Sequence, residues 1–122
     1  MSVRLSRREF EALVAEALDA IPEELARLME NVAVVVEDWP HPDQLAGHGS
    51  LFGLYEGISL TARSPLSYGG VLPDRITIFR GPLCEACETE QDLADEIYAT
   101  VVHEVAHHFG ISEERLEELG WG

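Results

Sequence analysis

The sequence contains no lysine, and its eight basic residues, all arginines, face 23 aspartates and glutamates, which gives a formal charge of −15 over 122 residues. Such an acidic surface repels nucleic-acid phosphates and anionic lipid headgroups. We therefore expect neither nucleic acid nor a membrane among the partners. The longest apolar runs, such as Val32–Val36, are too short to span a bilayer, and the first residues lack the apolar core of a secretion signal. A cytoplasmic location is expected.

Cysteine is scarce as well, since only Cys84 and Cys87 occur. Two cysteines are too few for the disulfide framework of a small secreted domain. Their C-x-x-C spacing also occurs in redox sites, but we expect the adjacent Glu85 and Glu88 to raise the thiol pKa values, which disfavours redox catalysis. The remaining composition, 46% hydrophobic and 25% charged, is typical of a globular chain, and we assign residues 1–122 to one domain.

The first third of the chain predicts two helices followed by a strand. Ser6 and Glu9 have the spacing of a capping box, ahead of apolar residues that recur at helical intervals. Pro22 suits the first turn of a second helix, which we expect to end near Glu30. The β-branched segment Val32–Trp39 predicts a buried strand.

Loops and strands alternate in the middle of the chain. Residues 40–50 and 63–73 are rich in proline and glycine and predict loops. Residues 51–61 hold one strand or two short ones. The segment Arg75–Phe79 alternates polar and apolar residues, as a half-buried strand does.

Two capped helices close the chain. Thr89 is predicted to open a long helix that runs to about Phe109, where Gly110 stops it. Ser112 is predicted to cap a short last helix that ends before Gly120. Helices, then a few strands, then helices indicate an α+β fold.

The most informative segment is the H-E-x-x-H motif at His103, Glu104 and His107, a signature of zinc hydrolases. Histidines four residues apart project from one face of a helix and can share a Zn²⁺ ion at about 2.0–2.1 Å. Glu104 is rotated by about 100° from His103, so its carboxylate lies beside the open coordination position. The motif therefore predicts two metal ligands, His103 and His107, and a general base, Glu104.

The rest of the long helix supports this interpretation. Glu96 and Thr100 fall on the face of the two histidines, where they can orient a ligand or face solvent. The opposite face carries the apolar residues Ala94, Tyr98, Val101, Val105 and Phe109. We expect one face to be core and the other to look into a cleft. His108 lies about 140° from His103, on the apolar side, and is not expected to bind the same metal.

A catalytic zinc usually has three protein ligands and one open position, so a further residue is needed. Gly110 allows a sharp turn after the helix, which can bring a later carboxylate back to the metal. The candidates are Glu113, Glu114, Glu117 and Glu118. The spacing H-x-x-G-x-x-E favours Glu113 as the third ligand.

With these residues in place, the sequence resembles the small bacterial zincin-like metallopeptidase domains called mini-zincins. The segments that carry the resemblance are Val34–Asp38, Leu54–Ile58, Leu72–Leu83, Val101–Ile111 and Arg115–Trp121. The resemblance covers nearly the whole chain and implies a mixed sheet packed against the metal-binding helix, with Zn²⁺ as cofactor. The family pattern ends in Asp where this chain has Glu113, whose extra methylene requires the turn to adjust.

Several other residues are weaker candidates. Metzincins place a methionine under the metal, downstream of the motif, but both methionines of this chain lie upstream of it. Trp121 either forms the hydrophobic floor under the metal in its place or covers the edge of the core. His41 and His48 lie in the first predicted loop and are interpreted as solvated. Arg63 and Tyr68 lie in the second predicted loop and are candidates for stabilising an oxyanion.

The function that we expect is zinc-dependent hydrolysis of peptide bonds, with His103, His107 and Glu113 as ligands and Glu104 as general base. The alternative is a zincin-fold binding or regulatory module with little or no catalysis, because 122 residues leave little chain to wall a substrate cleft. A zinc nuclease is disfavoured by the charge of −15. The small size and exposed strand edges are also compatible with a homodimer.

Overall fold

The computed structural model describes residues 3–45, 52–57 and 74–121. Their elements are, in chain order, α1 (Arg7–Asp19), α2 (Glu23–Leu28), β1 (Val32–Glu37), α3 (Pro42–Leu45), β2 (Gly53–Glu56), β3 (Asp74–Phe79), α4 (Arg80–Ala86), α5 (Glu90–His108) and α6 (Glu113–Leu119). The predicted α+β fold is confirmed. No helix in these ranges is long and apolar enough to cross a membrane.

The three strands of the described residues form one mixed sheet in the order β1-β3-β2. β1 runs parallel to β3, and β2 runs antiparallel to it with Tyr55 opposite Ile76. The half-buried pattern predicted for the third strand is wrong for Thr77, which is as fully buried as Ile76 and Ile78. Because adjacent residues of a strand point to opposite faces, both faces of this central strand are covered.

The long helix α5 occupies the middle of the molecule and contacts α1, α4, β2 and β3. Its inward face contributes the largest share of the core, with Leu93, Ile97, Val101, Val102, Val105 and Ala106 all buried. Phe10, Val14 and Ala17 of α1 and Leu116 of α6 pack into the same core. The burial of one side of α5 leaves its other side free to form a site.

Three of the four predicted helix starts are confirmed by side-chain caps, whereas α2 begins one residue after Pro22, which is its N-cap residue, and has no side-chain cap. The Ser6 hydroxyl accepts the Glu9 N–H, and the Glu9 carboxylate accepts the Ser6 N–H in return, which completes the capping box. The hydroxyls of Thr89 and Ser112 likewise accept the N–H three residues on. These short-range bonds satisfy N–H groups that the first turn of a helix leaves unpaired.

The structure differs from the sequence-based expectations at two short helices. Residues 42–45 form α3 inside a segment predicted to be loop, and residues 80–86 form α4 between the third strand and α5. Both are too short to display an apolar period. The first predicted strand also ends at Glu37 rather than Trp39, and the prediction that it is buried is wrong, since Val35 is exposed and Val36 is its only buried residue. The loop predicted for residues 63–73 lies outside the described residues.

Candidate metal site

The turn that follows α5 brings α6 back towards the two histidines. Gly110 has a φ of +75°, the left-handed conformation that favours glycine. Its N–H donates to the His107 carbonyl at 3.3 Å, and the Ile111 N–H donates to the Ala106 carbonyl at 2.8 Å. This pair of bonds is a Schellman motif, which ends a helix and reverses the chain. Ser112 then caps α6, so that Glu113 is the first residue of the returning helix.

The return places the Glu113 carboxylate between the two histidines of the motif. Its Oε2 lies 3.5 Å from His103 Nε2, and its Oε1 lies 3.5 Å from His107 Nε2. All four candidate glutamates are exposed, and Glu118 pairs with Arg115 at 3.0 Å instead. Of the four glutamates, Glu113 is the one whose carboxylate contacts the two histidines.

These three side chains fit a zinc ion in their chemistry. Two imidazole nitrogens and one carboxylate form a donor set of the catalytic type. Ligands at about 2.0–2.1 Å from a tetrahedral ion are separated by about 3.3 Å, which is close to the two His–Glu distances. The imidazole rings are nearly parallel, with centroids 6.4 Å apart. That separation is wide, and among the described residues no three His, Cys, Asp or Glu side chains stand close enough together to hold a metal ion, so these side chains must approach one another to share one.

Glu104 lies beside this group and is held by the sheet. The backbone N–H of Tyr55 in the edge strand β2 donates to Glu104 Oε1 at 3.0 Å. The two residues are 49 positions apart, so the bond ties β2 directly to the helix that carries the motif. The bond fixes one carboxylate oxygen of Glu104 with a neutral donor.

Tyr55 is itself anchored at both ends of its side chain. Its ring stacks on the imidazole of His108 at 3.9 Å, and its hydroxyl donates to Asp74 Oδ2 at 2.8 Å. The pKa of the Tyr55 hydroxyl is raised, mainly by burial and to a lesser extent by the hydrogen bond to Asp74 and the negative charge of that carboxylate. His108 Nε2 lies 3.7 Å from the same Asp74 oxygen, so this histidine faces Asp74 on β3 rather than Glu113.

Sequence reasoning did not select Tyr55 or Asp74 as site residues. The two are 19 positions apart, and they meet because β2 and β3 are paired strands. Neither lies in a spacing motif with the histidines. The only signal in the sequence was that Tyr55 lies within Leu54–Ile58 and Asp74 within Leu72–Leu83, two of the segments that carry the resemblance.

A cleft of about 520 Å³ opens beside the outer face of α5. Its described lining residues are Phe52, Glu96, Ala99, Thr100, His103, Glu104 and His107. The prediction that Glu96 and Thr100 share a face with the two histidines is confirmed by this lining. Phe109, predicted to face the core, is instead 43% exposed because the helix ends at His108 and the chain turns away.

Other candidates from the sequence lie elsewhere. His41 is exposed, with its Nε2 4.0 Å from Glu37 Oε1. His48, Arg63 and Tyr68 lie outside the described residues. Trp121 is partly buried against the core and does not line the cleft, which supports the interpretation that it covers the edge of the core.

Cys84 and Cys87 are buried free thiols, and the predicted rise of both pKa values is confirmed. The cause is not the one expected. Burial is the largest contribution for both thiols, and the carboxylates that raise the pKa of Cys87 further are Glu96 and Asp92 rather than its sequence neighbours. Thiols of this kind are poor nucleophiles.

The comparison with known proteins agrees with the motif and the fold. Residues 29–121 match the model of the zincin-like metallopeptidase family. The chain belongs to this family. The chain is also similar to the solved structure of a conserved hypothetical protein from Thermo thermophilus, with 27% identity and a TM-score of 0.56, over 86% of this chain and 94% of that chain. No curated protein matches the sequence.

Proposed function

We propose that the protein is a zinc-dependent metallopeptidase that hydrolyses peptide bonds. The observation that carries the proposal is the position of Glu113, whose carboxylate oxygens lie 3.5 Å from the Nε2 atoms of His103 and His107. Three ligands of these types would hold zinc and leave a fourth position open for water or substrate. Membership of a metallopeptidase family supports the same class of reaction.

In this scheme the residues of the chain bind the metal, orient Glu104 and transfer the proton. Zinc, when bound, supplies a Lewis acid that polarises the scissile carbonyl and brings the pKa of a coordinated water to about 7. The Tyr55 N–H holds Glu104 Oε1, which leaves Oε2 to take the proton of the attacking water. Glu104 then returns this proton to the leaving amine. The backbone bond from β2 keeps the carboxylate from rotating out of reach of the water.

The test is the substitution Glu104→Gln, which keeps the size of the side chain and removes its basicity. We expect turnover of a peptide substrate to fall by about 10²–10⁴-fold, the usual contribution of a general base. We expect one equivalent of zinc to bind with unchanged affinity. Glu117→Gln, on the exposed side of α6, is the control and should retain both properties. Full activity or lost zinc in Glu104→Gln would remove Glu104 from this role.

The second candidate is a zincin-fold binding module with little catalysis. The observation that favours it is the 6.4 Å separation of the two imidazole rings, which is wide for a pair that shares one ion. A zinc titration by calorimetry on chelator-stripped protein separates the two candidates. One tight equivalent would support the peptidase, whereas a lack of binding would support the module.

A further inference from the structure

The cleft continues beyond the metal-binding residues towards the start of α5. Glu96 lines its far end, seven residues before His103, which is about 10 Å along the axis at about 1.5 Å per residue. An extended peptide advances about 3.3 Å per residue. A peptide lying along this face with its scissile bond at His103 would therefore cover that distance in about three residues.

The floor between the two ends is built for an aliphatic stem. Ala99 presents only a methyl group, and Thr100 is 7% exposed, so it adds little polar surface to this floor. The ring of Phe52 forms a side of the cleft. Lysine and arginine lay their methylene stems along such surface while the charged head reaches a polar group beyond it.

The polar group at the end of this floor is the carboxylate of Glu96. No described residue forms an ion pair or a hydrogen bond with Glu96, and the side chain is exposed, so an incoming cation can reach it. The chain carries a charge of −15 and no lysine, so its field attracts cationic peptides. Both the local carboxylate and the overall charge favour a basic side chain in this position.

We propose that the cleft selects peptides with a lysine or arginine within three residues of the scissile bond, and that Glu96 is the residue that pairs with it. The proposal rests on the proposed peptidase function and adds the class of substrate. Glu96 would be a specificity residue that touches the substrate away from the reacting bond. Its carboxylate takes no part in proton transfer.

The experiment uses sets of three fluorescent peptides that differ at one position, which holds lysine, norleucine or glutamate. One set is made for each of the three positions on either side of the scissile bond. Hydrolysis is measured with zinc-loaded wild-type protein. Binding is measured by anisotropy with zinc-loaded Glu104→Gln protein, so that a result is obtained without turnover. A partly exposed ion pair predicts about a fivefold preference for lysine over norleucine at one position, and the preference should shrink in about 0.5 M NaCl.

Glu96→Gln should abolish this preference, and Glu96→Arg should turn it towards the glutamate peptide. Asp95→Asn is the matched control, because it removes one negative charge from the adjacent residue of α5, which does not line the cleft. An unchanged lysine preference in Glu96→Gln, or an equal loss in Asp95→Asn, would overturn the assignment of Glu96.

The outcomes also separate this inference from the proposed function. Hydrolysis without a lysine preference would refute the inference and leave the peptidase proposal standing. Lysine-dependent binding without hydrolysis would support the cleft assignment and count against the peptidase. A protein that neither binds nor hydrolyses any of the peptides would refute both.

Discussion

The turn at Gly110 allows a direct test of how Glu113 reaches the histidines, because the chain contains a matched second turn. Gly120 after α6 also has a φ of +75°, and it forms the same pair of backbone bonds, from Gly120 to Glu117 and from Trp121 to Leu116. A Cβ atom built at either glycine meets nothing within 4 Å. Alanine at each position therefore introduces the same conformational strain and no clash.

The expected loss of stability is the same for Gly110→Ala and Gly120→Ala. The left-handed conformation costs an L-residue about 1–2 kcal/mol. For 122 residues, an unfolding entropy of about 2.1 cal/mol/K per residue amounts to about 0.26 kcal/mol/K, so each variant should lose about 4–8 °C in Tm. Thermal unfolding of the zinc-free proteins, followed by circular dichroism, measures this loss.

Zinc affinity should distinguish the two variants. When the turn at Gly110 relaxes to relieve strain, Glu113 moves away from the histidines, and zinc binding must restore the strained turn. The free energy of zinc binding should become less favourable by a fraction of the strain energy. A change of 1.4 kcal/mol corresponds to a tenfold loss of affinity, so we expect a loss of at most about tenfold. Gly120 lies beyond Glu113, so Gly120→Ala should bind zinc like the wild type. Competition with a fluorescent chelator gives both constants. Equal zinc affinities in two equally destabilised variants would refute the view that this turn positions Glu113.

Three further substitutions test separate parts of the structure. Glu113→Ala should weaken zinc binding by at least about tenfold in calorimetry because one of three ligands is lost, whereas Glu114→Ala should not, and equal effects would move the third ligand elsewhere. Tyr55→Phe removes a hydroxyl bonded to a carboxylate, so the free energy of unfolding in urea should fall by about 1–2 kcal/mol. This variant keeps the backbone N–H that holds Glu104, so kcat and zinc affinity should stay unchanged, and a large fall in kcat would show that the hydroxyl also contributes to the site. The hydrogen bond from Arg80 lowers the pKa of Asp38 in the folded protein. The interaction therefore stabilises the fold fully at pH values above the pKa of an unfolded aspartate, about 3.9. This stabilisation is lost as the pH falls through the lower pKa of the folded state. Urea unfolding between about pH 2 and 6 should therefore show a flatter acid limb in Arg80→Gln, and identical slopes would argue against this contribution.

Local features of the site are predictable from the sequence because they depend on residues within about one or two helical turns of each other. The caps at Ser6, Thr89 and Ser112 require only a hydroxyl and an N–H three residues on. The face shared by the two histidines follows from the helical period. The left-handed turn at Gly110 follows from the absence of a Cβ atom.

Short or ambiguous segments were less predictable for a physical reason. The helices over residues 42–45 and 80–86 span too few turns to display a period, so their helical conformation depends on the surrounding structure. Thr77 has the polarity of a solvent-facing residue, yet it is fully buried because β3 is the central strand. Phe109 has the polarity of a core residue, yet it is exposed because the chain leaves the helix there.

The amino-acid sequence is sufficient to define the H-E-x-x-H helix, its outward face and the turn that returns Glu113, since each of these features is local. The tertiary structure decides which groups surround them. The Tyr55 N–H reaches Glu104 across 49 positions, and Asp74 and His108 hold Tyr55 from two different elements. No local period encodes such contacts, because they exist only after β2 pairs with β3 and both pack against α5.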